Sequence, residues 1–248
     1  PVFNYLSTKI ASFGLIIALL TIIIRLLISP LTYQSYLSGA KMKLLKPEID
    51  ELKTKFGDDK QAFGMEQMKL YRSAGVNPLG GCIPALFQIP IFFALYNFFN
   101  SNITLRGQSF WWAKDMSTYD SIYNLPFSIP FYGNHISLFT IFAVVTSLLI
   151  SLYGMSNMQD NSNPVMKYLP FIFPVVLLGV FNRLPSSLTW YYTVSNAITL
   201  LIQFVIQKYI IDHEKILARL QENKKKPVAQ NKWQERISAM QETNKKLQ

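Results

Sequence analysis

Five apolar runs decide what this chain can fold into. They lie at about residues 10–29, 83–102, 136–155, 165–183 and 188–211. Each approaches the roughly 20 residues that a helix needs to cross a ~30 Å hydrocarbon layer. Half of the 248 residues are hydrophobic and only 15% are charged, whereas a soluble domain carries about 25% charged residues. The class is therefore all-α and polytopic, with five transmembrane helices. The fourth run has the shortest apolar core, 168–181, which spans roughly 21 Å at 1.5 Å per residue. Pro170 and Pro174 lie inside it and predict a kink. The fifth run is long and is expected to tilt. With Cys82 as the single cysteine, no intrachain disulfide forms. The first residue is Pro1, so the chain is expected to be a piece of a longer one. Its first run does not read as a cleaved signal peptide, because Arg25 and Pro30 end it where small residues belong.

The basic residues give a direction. Residues 30–82 carry eight Lys and Arg, and the segment from Asp212 carries nine, but the loop 103–135 holds only Arg106 and Lys114. The positive-inside rule places the first two regions in the cytoplasm and the N-terminus outside. The resulting layout is an outer-surface interfacial segment at 1–13, a first transmembrane helix at 14–29 (starting near 10), and a cytoplasmic helical hairpin at 30–82. Helices two to five follow at 83–211, with an outer loop at 103–135, and a basic cytoplasmic tail closes the chain at 212–248. Phe110, Trp111, Trp112, Tyr119 and Tyr123 of the outer loop read as an aromatic belt at the membrane surface. In the hairpin, Leu44, Leu45, Ile49, Leu52 and Phe56 follow helical spacing. "FGDD" at 56–59 reads as a helix end, a turn and a new N-cap, and a second helix runs to Gly75. The hairpin is either a solvated lobe on lipid headgroups or a docking platform for an incoming chain.

Arg25 stands inside the first apolar run. A charge there costs roughly 2.5–3.5 kcal/mol on insertion scales, and all fourteen acidic residues lie outside the runs. No carboxylate of this chain is therefore available inside a span to pair with it. Either its long stem reaches cytoplasmic water, or it faces a water-filled cavity. Thr21, Arg25 and Ser29 share one helix face. On the fifth run Tyr192, Asn196, Thr199, Gln203 and Gln207 share another, and Gln88 lies between Pro84 and Pro90 of the second. Singly, such residues are usually interhelical glue. Together with an unpaired Arg they favour a hydrated cavity.

Four stretches then resemble the YidC membrane-protein insertase family, whose relatives include the mitochondrial and chloroplast insertases. They are "IIIRLLISPLTYQSYLSGAKM" at 22–42, "FGDDKQ" at 56–61, "LYRSAGVNPLGGCIPALFQIPIFFALY" at 70–96 and "LPSSLTWYYTVSNAITLLIQ" at 184–203. The resemblance implies a five-helix core around a hydrophilic groove, open to cytoplasm and lipid and closed to the outside. It assigns the groove Arg to Arg25, the Thr one turn earlier to Thr21, the second-helix amide to Gln88 and a substrate-contacting Tyr to Tyr192. The segment 31–76 resembles the family's cytoplasmic hairpin. "PSS" at 185–187 departs from the common "PSG" and is expected to stiffen an outer turn.

The expected function is a membrane protein insertase of the bacterial inner membrane. It is not an enzyme and needs no cofactor or metal, since no span holds a carboxylate and no Walker-type glycine loop is present. Expected partners are nascent membrane proteins, anionic lipid, the ribosome and a Sec-type translocon, but not DNA. "NKKKP" at 223–227 suits either RNA phosphates or anionic headgroups. The competing class is a small-solute transporter or channel with Arg25 as an anion site. It typically needs inverted repeats, and none is visible.

Overall fold

The computed structural model describes residues 2–57, 59–81, 83–155 and 164–225. Cys82 and the tail beyond Lys225, including the end of "NKKKP", lie outside them. Nine α-helices are described: α1 Val2–Ser7, α2 Phe13–Leu44, α3 Lys46–Phe56, α4 Lys60–Ser73, α5 Ile83–Ser101, α6 Leu138–Met155, α7 Pro164–Phe181, α8 Ser186–Val205 and α9 His213–Lys225. The fold is mostly helical but not all-α. Strands β1 Tyr123–Ile129 and β2 Gly133–Ile136 pair antiparallel within the loop before α6. The chain forms two compact units, one from Pro1–Lys43 and Leu79–Ile211, the other from Leu44–Pro78 and Asp212–Gln248.

Among the described residues, Phe13–Leu44 is the one helix long and apolar enough by itself to cross a membrane, and Leu138–Gly154 is apolar but shorter. Helix α7 has 18 residues, about 27 Å, because it starts at Pro164 rather than at its apolar core.

Helix α2 does not stop at Pro30, as the sequence suggested. A proline in a helix lacks the N–H that would bond the carbonyl four residues back. Here Ser29 Oγ donates to that carbonyl, Leu26 O, at 2.8 Å, and the helix continues to Leu44. Beyond the proline, Ser35 Oγ donates to Gly81 O at 3.1 Å. A Cβ on Gly80 would lie 2.5 Å from Ser38 Oγ. The glycines of "NPLGG" thus let a 3₁₀ turn, Pro78–Gly81, press against α2.

The first unit packs tightest at one end. Its buried core joins Ile16 and Ile17 of α2, Leu95 and Phe99 of α5, Phe139 of α6, Phe181 of α7, and Leu188 and Tyr191 of α8. All lie at the helix ends that meet the loop between α5 and α6. Phe3 of α1 joins them, with its ring 5.3 Å from Phe98. Phe110 and Trp112 leave the expected belt and fold inward: Phe110 lies 5.2 Å from Trp190, and Trp112 lies 4.6 Å from Phe139. Trp111 stays exposed.

Asp120 organises this end. Its carboxylate accepts from Leu138 N at 2.8 Å, Phe139 N at 3.1 Å, Trp112 Nε1 at 2.9 Å and the Ser137 hydroxyl. It thereby supplies the orphan donors in the first turn of α6, while Ser137 Oγ accepts from Thr140 N. The "PSS" turn is tied down as well: Ser186 N donates to Thr118 O at 2.7 Å and Ser187 N to Met116 O at 3.1 Å.

Gly14 has a steric role. A Cβ there would meet the Phe110 ring at 2.3 Å, and the Gly14 carbonyl accepts from Trp190 Nε1 at 2.9 Å. Overpacking of this kind costs about 1–3 kcal/mol. Gly14→Ala is expected to destabilise the purified protein by about that amount, read as a lower unfolding temperature in detergent.

The second unit holds α3 and α4; the hairpin expected at 30–82 thus has its two helices at Lys46–Phe56 and Lys60–Ser73, because α2 takes the residues up to Leu44. Asp59 caps α4, accepting from Gln61 N and Ala62 N at 3.0 Å. At the other end Gly75 takes φ +66°, and Val76 N reaches back to Tyr71 O at 2.8 Å, a Schellman ending that needs a residue tolerant of positive φ. What reads as the start of a basic tail is a helix, α9. Its Asn223 Nδ2 donates to Ala74 O at 3.4 Å, and Lys224 pairs with Glu48. Asp212 caps α9. The Lys215 backbone N–H, the Lys215 ammonium and the Glu214 N–H hold its carboxyl below the usual carboxylate range.

Candidate functional site

Arg25 lies on α2 eight residues after Ile17, about 12 Å along the axis from the packed end. It is partly buried. Its Nε donates to Ser195 Oγ of α8 at 2.6 Å. Among the described residues this is its one hydrogen bond, and no carboxylate stands within ion-pair distance. Its electrostatic neighbours are the phenols Tyr191, Tyr36 and Tyr192. Gln88 of α5 lies near the hydroxyls of Tyr191 and Tyr192 without a hydrogen bond to either. The Gln88 Nε2 atom is buried with no hydrogen-bond partner among the described residues. The structure thus brings Arg25, Gln88, Tyr191, Tyr192 and Ser195 into one cluster.

The other candidates divide. Thr21 is fully buried, and its Oγ1 donates to Ile17 O of its own helix at 2.6 Å. Thr199 Oγ1 likewise donates to Ser195 O at 2.8 Å. Asn196 turns to α6, where its Nδ2 donates to Ala143 O at 3.1 Å and Ser147 Oγ at 2.8 Å. Gln203 is buried, and its Oε1 has no partner among the described residues. Tyr192 packs its ring 4.8 Å from Phe181 and 6.0 Å from Phe92.

Ser195 was not among the sequence candidates. Adjacent helical residues point about 100° apart, so Asn196 reaches α6 while Ser195 reaches Arg25. A second polar row was readable: Tyr191, Ser195 and Thr199 fall at steps of four.

Comparison with known proteins gives the family of the chain. The family described as 60Kd inner membrane protein matches residues 5–214. A protein of Amoebophilus asiaticus named Membrane protein insertase YidC is 45% identical over 226 residues, covering 91% of this chain and 37% of that protein. Its namesake in Parabacteroides distasonis is 40% identical over 260 residues, covering 100% of this chain and 41% of that protein. The namesake in Cytophaga hutchinsonii is 46% identical over 210 residues, covering 85% and 34%. This chain thus spans about two fifths of the length of the relatives it matches. A crystal structure of an active YidC insertase with its first transmembrane domain resolved superposes with TM-score 0.58 at 29% identity. That match covers 84% of this chain and 44% of the crystallised one. By sequence and by structure, the chain belongs to the 60Kd inner membrane protein family, the family of the YidC insertases.

Proposed function

We propose that this chain is the membrane-embedded, client-handling part of an insertase of the bacterial inner membrane. Helices α2, α5, α6, α7 and α8 are its five spans, α3 and α4 face the cytoplasm, and the loop between α5 and α6 faces outward. Its clients are newly made membrane proteins. Ribosome, Sec-type translocon and anionic lipid are further partners in this reading.

One observation carries it: a guanidinium in an apolar helix whose bonded partner is a neutral hydroxyl. Buried charges are ordinarily paired. A charge left uncompensated suits a site that waits for an anion. The orphaned Gln88 Nε2 and Gln203 Oε1 atoms point the same way, since polar atoms in a hydrated groove are satisfied by water or by a client's backbone. The packed end, tied by Asp120 and the "PSS" turn, supports a floor that seals the groove from outside. An entering hydrophilic segment meets positive charge partway through the bilayer and crosses less hydrocarbon. The client's apolar helix then partitions sideways into lipid, and that burial drives the step.

Photocrosslinkers at positions 25, 88, 192 and 195 test this with a ribosome-stalled membrane-protein nascent chain in vesicles. Crosslinks from all four are expected. Their absence, together with solute flux in liposomes, would overturn the reading in favour of a transporter.

A further inference from the structure

The β1–β2 hairpin has no place in the groove, yet it is the most exposed apolar feature of its end. Residues 121–136 contain no Lys, Arg, Asp or Glu. Tyr123, Phe127, Ile129 and Phe131 all face out, with Phe127 60% and Phe131 89% exposed. A water-soluble turn places polar residues at such a tip. This one places a phenylalanine there, and in a conformation that bulky residues rarely adopt. Tyr132 N donates to Ile129 O at 3.1 Å, closing a turn with Pro130 first and Phe131 second at φ +68°. The second position of such a turn normally takes Gly or Asn.

The tip is fixed rather than loose. Asn182, directly after α7, donates through Nδ2 to Tyr132 O at 3.0 Å and His135 O at 3.1 Å. Its carbonyl lies 2.8 Å from His135 Nε2. Phe131 O presses on α7 so closely that a Cβ on Gly179 would sit 2.9 Å from it. Gly179 lies one turn beyond Val175 and Val176, which are exposed along with Ile172 and Val180. The hairpin tip therefore caps an apolar stripe that α7 turns outward.

We propose that this hairpin is a lipid-binding element that lies in the headgroup–acyl boundary of the leaflet at the packed end, with Phe127 and Phe131 dipped into it. The inference rests on the membrane reading of α7. Continuity with the α7 stripe and the lack of charge name lipid as the occupant. The hydrogen bonding sets the depth. Among the described residues strand β1 pairs with β2 alone, so its other edge keeps open backbone groups, which hydrocarbon does not tolerate but the interface does. Pro126 and Pro130 remove two donors from β1 and its turn.

Nitroxide labels at Phe127→Cys and Phe131→Cys in a Cys82→Ser chain test this in phosphatidylcholine–phosphatidylglycerol nanodiscs. Lys114→Cys serves as the water reference and Val175→Cys as the acyl reference. Both hairpin labels are expected to collide with a water-soluble nickel chelate severalfold less than position 114 does, and with oxygen more. Collision rates equal to those at 114, with 175 still reading lipid, would overturn the hairpin inference alone. Water-like rates at 175 as well would overturn the membrane reading beneath it. Low rates with both reagents and dipolar broadening between copies would mean that a second chain covers the hairpin, which also refutes it. Two label sites guard against one variant failing to fold.

Discussion

Arg25→Ala is expected to slow insertion of clients whose translocated segment is acidic by about tenfold or more, and of clients with apolar or neutral segments by less than about twofold. A charge-assisted hydrogen bond to a buried partner contributes about 1.5–3 kcal/mol, and each 1.4 kcal/mol is about a factor of ten. The lost term is specific to anions, because Arg25 has Ser195 Oγ as its resting ligand and, among the described residues, no carboxylate within ion-pair distance. Arg25→Lys should fall between, since it keeps the charge and loses the planar fork. Protease protection of the translocated segment in vesicles measures both client types. Equal losses for the two would exclude attraction by charge and leave Arg25 as a packing residue.

Asp120→Ala is expected to have the largest effect on stability, on the order of 3–5 kcal/mol, because several neutral donors lose their shared acceptor at about 1–3 kcal/mol each. The carboxylate is 2% exposed. Its loss strands the Phe139 N–H, which is buried, and the Leu138 N–H and Trp112 indole N–H, which are part-buried; leaving a buried donor unpaired costs about 1–3 kcal/mol. These costs do not simply add. Asp120→Asn keeps one acceptor oxygen and should lose less than half as much. Thermal unfolding in detergent ranks the two. An Asp120→Ala protein as stable as its parent would show that the loop end is not held by this cap.

Much of this architecture was legible because helices announce themselves locally. "FGDD" marked the break between α3 and α4, and the Asp59 cap and the turn at Gly57 bear it out. Pro30 misled, because the remedy was the neighbouring hydroxyl of Ser29, and a proline rule alone does not weigh neighbours. The hairpin was missed although Tyr123, Leu125, Phe127 and Ile129 alternate with polar or proline residues, the two-residue period of a strand. Its signal was masked by reading the aromatics as a belt. Within the site, Arg25, Gln88 and Tyr192 were readable and the structure clusters them. Asn196 and Ser195 were separable only with a partner for each face of α8, and no single helix carries that information. The inward folding of Phe110 and Trp112 was likewise invisible, since it depends on Gly14 of a distant helix leaving room.

The Arg25–Ser195 bond has a kinetic consequence under the proposed function. When an acid from an incoming chain takes the guanidinium, the displaced ligand is an uncharged alcohol that leaves no stranded anion. When the acid departs, the alcohol returns. Docking and departure are thus nearly balanced, which makes for brief dwell times and repeated cycles without fuel. A carboxylate in place of Ser195 would lock the cation shut.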